Sequence, residues 1–119
     1  MAYVIDKNAT EMQKRCINEA IKVVNDLNIP VSKNIEFIFW RLSSNHSYCR
    51  PLSKDNYLIK IHKDIVDGYE LICVIIHEIL HTVDNKKCTC HRGYWLKYAK
   101  YVSERTKCML CRHLEFHLD

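Results

Sequence analysis

His77 and His81 stand four residues apart, with Glu78 directly after the first, in the run His77-Glu78-Ile79-Leu80-His81. Four residues of α-helix turn the chain by about one revolution, so the two imidazoles leave from one face. Paired in this way they can hold one zinc ion, and the carboxylate beside the first can reach a water on that ion rather than the ion itself. The chemistry this set can do is metal-assisted hydrolysis, with Glu78 moving the proton. The run also interrupts the most apolar stretch of the chain, which begins at Leu71. Burying three ionisable groups there without partners costs several kcal/mol, and a metal removes that objection.

Two histidines leave a zinc ion short of protein ligands. Asp84, Cys88, Cys90 and His91 follow closely enough to supply the third, whereas the position six past His81 is Lys87, which does not serve. His91 opens the next helical segment and can fold back over the first, and Cys90 beside it offers a thiolate. Spacing leaves both open. Further on, Cys108 and Cys111 form a CxxC pair. They offer half of a second, structural zinc site, completed by Cys88 and Cys90 or by His113 and His117; the plainer alternative is a pair of reduced thiols. Cys16 and Cys73 fall on apolar helix faces and read as core. His46 and His62 read as surface or loop histidines, with His46 near enough in sequence to the second strand to approach a substrate cleft.

These groups need a scaffold. Met12, Cys16, Ile17, Ala20, Ile21, Val24 and Leu27 recur at helical steps, which predicts an amphipathic helix over residues 8–28, capped by Asn8 or Thr10 and stopped by Pro30. Ile35 to Arg41 is a β-branched and aromatic run that predicts a strand buried on both faces. Ser43 to Asp55 is polar, contains Pro51 and reads as a turning stretch. Tyr57, Ile59 and Ile61 alternate with Leu58, Lys60 and His62 as a strand with one face outward. Asp67 to Asp84 predicts a helix apolar nearly all round, which belongs in the middle of the fold. Asn85 to Arg92 is a polar connection, and Gly93 to Arg105 predicts a third helix with Trp95, Ala99 and Val102 inward. The expected class is α+β, one domain over residues 1–119, with 106–119 as a short Cys/His-containing tail that resembles half a zinc ribbon.

The stretch from His77 to Val102, HEILHTVDNKKCTCHRGYWLKYAKYV, resembles the core of SprT-like (Spartan-type) zinc metallopeptidases. Those proteins place HExxH on a helix, then a loop, then a third His followed four residues later by Trp or Phe; here His91 and Trp95 have that spacing. The likeness extends over residues 10–105, although only the HExxH…H…W stretch is specific. Arg92 stands where Gly usually follows the third His, and Asn45-His46-Ser47-Tyr48-Cys49 replaces an upstream Arg–Gly pattern. The resemblance implies a zincin-like fold, with an N-terminal helix on a short sheet, a central HExxH helix and a following helix. It also implies one catalytic Zn2+ on His77, His81 and His91, with Glu78 as catalytic base and acid. Protein or peptide substrates follow, and relatives act on DNA-linked proteins. Tyr94 and His46 are the candidates to assist the oxyanion.

The composition sets limits. With 119 residues, 48% apolar and 27% charged, the chain matches a globular domain rather than a disordered one. Its apolar runs are far too short to span a bilayer, and its start lacks the pattern of a secretory leader. Seven cysteines, an odd number, without an export signal favour reduced thiols and a cytoplasmic location. The net charge is +4, and residues 86–113 hold eight basic side chains against the single acid Glu104. Lys86, Lys87, Arg92, Lys97, Lys100 and Arg105, interleaved with Tyr94, Tyr98 and Tyr101, suit nucleic acid, because cations neutralise phosphates and rings stack on bases. A solvated helix face with half-buried tyrosines accounts for the same residues. The rival to an enzyme is therefore a non-catalytic zinc-binding module whose basic C-terminal helix binds nucleic acid. A closed site of four protein ligands marks the module, and an open position marks the enzyme.

Overall fold

The computed structural model describes residues 2–41, 47–83 and 93–106. A four-stranded mixed sheet and three helices make an α+β architecture. In chain order the elements are β1 (Ala2–Ile5), α1 (Glu11–Asp26), β2 (Asn34–Trp40), β3 (Tyr48–Ser53), β4 (Asn56–His62), α2 (Gly68–Leu80), a 3-10 turn (His81–Val83) and α3 (Tyr94–Thr106). The sheet order is β1-β2-β4-β3. β1, β2 and β4 run parallel, and β3 closes one edge antiparallel to β4.

Local chemistry sets the helix ends. Thr10 caps α1 in a reciprocal box: its hydroxyl accepts from the Gln13 backbone N–H at 3.1 Å, and the Gln13 side chain accepts from the Thr10 N–H at 2.8 Å. Thr10, not Asn8, is therefore the cap. Gln13 also donates to the Lys63 carbonyl at 3.4 Å, which ties the start of α1 to the end of β4. At the other end Asn28 takes φ 56°, the left-handed position that closes a helix, before Pro30 leads into β2. Asp67 caps α2 by accepting from the Glu70 N–H at 2.9 Å.

Register explains the core. Ile35, Phe37 and Phe39 of β2 pair with Tyr57, Ile59 and Ile61 of β4, and all six are buried on one face of the sheet. They form one cluster with Ile17, Ala20 and Val24 of α1 and with Leu71, Ile75, Ile76 and Ile79 of α2. α3 adds Trp95, Ala99 and Val102 to the same cluster, as their spacing predicts. Cys16 and Cys73 are buried among these residues, in agreement with their reading as core.

Several expectations need correction. β2 is not buried on both faces: Glu36 is exposed and Trp40 is 61% exposed, because only the face carrying Ile35, Phe37 and Phe39 meets the helices. The stretch containing Pro51 is not merely a turn but holds β3, whose edge position tolerates a residue with no N–H to donate. Cys49 sits inside that strand, with its side chain in the core. β1, too short to announce itself, extends the sheet on the other side. His62 is not a loop residue: it ends β4, its side chain is largely buried, and its Nδ1 accepts the Asp64 N–H at 3.2 Å. No helix among the described residues is long and apolar enough to cross a membrane.

Candidate metal centre

The site is built on the last turn of α2 and the residue that follows it. Apolar side chains on nearly every side hold α2 against both the sheet and α1, so its C-terminal turn has little freedom. From that turn His77 and Glu78 project one turn before His81, and ligand-capable atoms of all three lie within 4.8 Å of one another. The two imidazole centroids are 5.2 Å apart with their planes at 69°. Glu78 and His81 are each only 5% exposed, and His77 is half-buried.

The far side of the site is covered by Trp95, the second residue of α3. Its indole meets the His77 ring edge-on at 4.9 Å and stacks on the His81 ring at 5.5 Å, with planes only 24° apart. Its Nε1–H donates to the His77 backbone carbonyl at 3.0 Å. The last four carbonyls of a helix have no partner within it, so this bond meets a need that the end of α2 creates. The Ile79 carbonyl, which also accepts the His81 backbone N–H, accepts the Thr82 hydroxyl at 2.7 Å. That hydroxyl also accepts the Ser32 N–H at 2.8 Å, and the Ser32 carbonyl accepts the Tyr3 hydroxyl at 3.0 Å. The end of α2 is thus tied to β1 and to the approach to β2.

Glu78 makes no ion pair among the described residues, and burial pushes its carboxyl up to about 8. Donors on one tetrahedral zinc ion lie about 3.3 Å apart, so two imidazoles with ligand atoms within 4.8 Å of each other suit a single small cation after a modest adjustment. Two imidazoles on one helix face are donors that a divalent borderline metal favours, and the carboxyl beside them would reach a water on such an ion. The residues present therefore fit the group that the sequence implies.

Of the predicted site residues, the structure brings His77, Glu78 and His81 together and adds Trp95, which the sequence marked as inward-facing and as the tryptophan of the HExxH…H…W pattern. His46, Asp84, Lys86, Lys87, Cys88, Cys90, His91, Arg92, Cys108, Cys111, His113 and His117 lie outside the described residues, as does most of the C-terminal tail. Tyr94 opens α3 and is 57% exposed. Lys97, Lys100 and Arg105 lie on the exposed side of α3, with Tyr98 and Tyr101 half-buried between them. Thr82 went unnoticed in the sequence, since a hydroxyl beside a histidine carries no signal of the residue fifty positions earlier that it contacts.

No family model, curated protein or solved structure matches this chain significantly.

Proposed function

We propose that this chain is a zinc-dependent peptidase with a zincin-like fold of the SprT-like type. The observation that carries the reading is the convergence of His77, Glu78 and His81 on one buried helix turn, with Trp95 of the following helix packed against both imidazoles. An HExxH helix and a succeeding helix meeting at that tryptophan are what the HExxH…H…W resemblance requires. His77 and His81 would hold the ion, with His91 or Cys90 as third ligand.

When bound, zinc supplies a Lewis acid that lowers the pKa of water towards neutrality and polarises a carbonyl. Glu78 supplies the proton transfer. Its carboxylate takes a proton as water adds to the scissile carbonyl carbon, and returns it to the amide nitrogen as the C–N bond breaks. A neighbouring cation favours the ionised form of Glu78, which offsets the burial that otherwise holds it near 8. Trp95 and the buried face of α2 fix the imidazoles and keep bulk water from one side. The resemblance extends the substrate class to proteins attached to DNA.

Metal analysis of chain purified without added zinc, alongside cleavage of an unfolded protein, tests this reading. About one equivalent of zinc is expected, with cleavage reduced at least about a hundredfold in Glu78→Gln. A folded chain free of metal, or equal cleavage by both forms, overturns it.

A further inference from the structure

The exposed face of α3 borders a groove. Lys97, Lys100, Tyr101 and Glu104 follow at three- and four-residue steps and form one stripe on the helix. With Tyr98, and with Leu27 at the end of α1, they line a groove of about 390 Å³. This volume lies within the range of sites that enclose a ligand group. We propose that the groove takes an acidic peptide segment anchored by one apolar side chain, a role independent of the chemistry at His77.

Charge complementarity identifies the occupant. Lys97 and Lys100 are exposed and make no ion pair among the described residues. Arg105 lies 3.9 Å from the Glu104 carboxylate, which leaves the two lysines as the charge of the rim. Half-buried Leu27 provides an apolar floor beside these cations. An apolar centre with a charged rim is the arrangement that binds a side chain and steers its flanking carboxylates.

A single-stranded nucleic acid suits the groove less well. Stacking needs open ring faces, yet the Arg105 guanidinium lies 3.8 Å from the centroid of Tyr101 and the Lys97 ammonium 5.4 Å from that of Tyr98.

Fluorescence anisotropy with the full chain tests the proposal, using a labelled peptide of Asp and Glu around a central Leu. The comparison probes are the same peptide with Ser in place of Leu and a thymidine oligonucleotide. Saturable binding of the Leu peptide is expected, weaker for the Ser peptide and for the oligonucleotide. The exposed double variant K97E/K100E should weaken it by at least about tenfold, and Lys97→Gln with Lys100→Gln by less. Glu104→Gln should strengthen it, with circular dichroism unchanged throughout. Absence of saturable binding, indifference to the lysine variants, or tighter binding of the oligonucleotide overturns the proposal.

Discussion

The indole N–H of Trp95 donates to the backbone carbonyl of His77 at 3.0 Å, across 18 residues of sequence. One side chain thus ends α2, docks α3 and orients a candidate metal ligand. Trp95→Phe keeps a ring against both imidazoles and removes the donor. It should lower stability by about 1–3 kcal/mol, the cost of leaving a buried carbonyl without its partner. It should also weaken zinc affinity, since ligand orientation depends on such supporting contacts. Urea unfolding and competition with a chelator measure the two effects separately. Unchanged zinc affinity in Trp95→Phe removes the orienting role. Trp95→Ala, which also opens a cavity, should cost about 3–5 kcal/mol.

Metal removal should be felt throughout the fold. A ligand present at about a hundred times its dissociation constant stabilises by about 2.7 kcal/mol, which for a domain of this size corresponds to a fall in Tm of about 10 °C on stripping. Chelator-treated chain should melt lower by that amount and recover on adding zinc. His77→Ala and His81→Ala should melt at the lower temperature with or without zinc. A melting temperature indifferent to chelator in the parent chain contradicts metal binding at α2.

Much of this was legible from periodicity. The steps from Met12 to Leu27, the alternation of Tyr57, Ile59 and Ile61, and the inward set Trp95, Ala99 and Val102 each led to the right element. Periodicity is a local signal, and it failed where structure was decided by something distant. Ile38 and Trp40 made β2 look covered on both faces, but a run of apolar residues does not say where the helices lie. Pro51 and the polar residues around it concealed β3, whose place depends on pairing with β4. Four residues of β1 are too few to show a period. At the site, HExxH spacing on a helix already brings His77, Glu78 and His81 to one turn. The contacts of Trp95 with His77 and of Thr82 with Ser32 exist only once α3 and β2 have packed against α2.

The Thr82 hydroxyl gives a prediction of its own. It donates to the Ile79 carbonyl and accepts the Ser32 N–H, so Thr82→Val, nearly the same shape, leaves both groups without that partner. The expected loss is about 1–3 kcal/mol in urea unfolding. Thr82→Ser, which keeps the hydroxyl, should retain most of the stability. Because His81 is the adjacent residue, Thr82→Val should also raise the zinc concentration needed for half-saturation, and Thr82→Ser should not. Equal stability of the Val and Ser variants shows that the hydroxyl contributes nothing.

Glu78 should make the metal-free chain sensitive to pH in a direction opposite to most carboxylates. Burial raises its carboxyl from the ordinary 4.5 to about 8, so between those values the folded chain holds a proton that the unfolded chain has released. Stability therefore falls as pH rises through this window. The contribution of the neutral carboxyl is intact below about 4.5 and lost by the time the pH passes about 8. The informative quantity is a difference between two variants. Thermal melts of chelator-treated parent and Glu78→Gln, taken across the window, should diverge steadily in favour of Gln, which stays neutral. With zinc restored the parent should regain ground most at the alkaline end, because the cation offsets the ionised carboxylate. Parallel melting curves across the window would mean that Glu78 is already ionised at low pH in the metal-free fold.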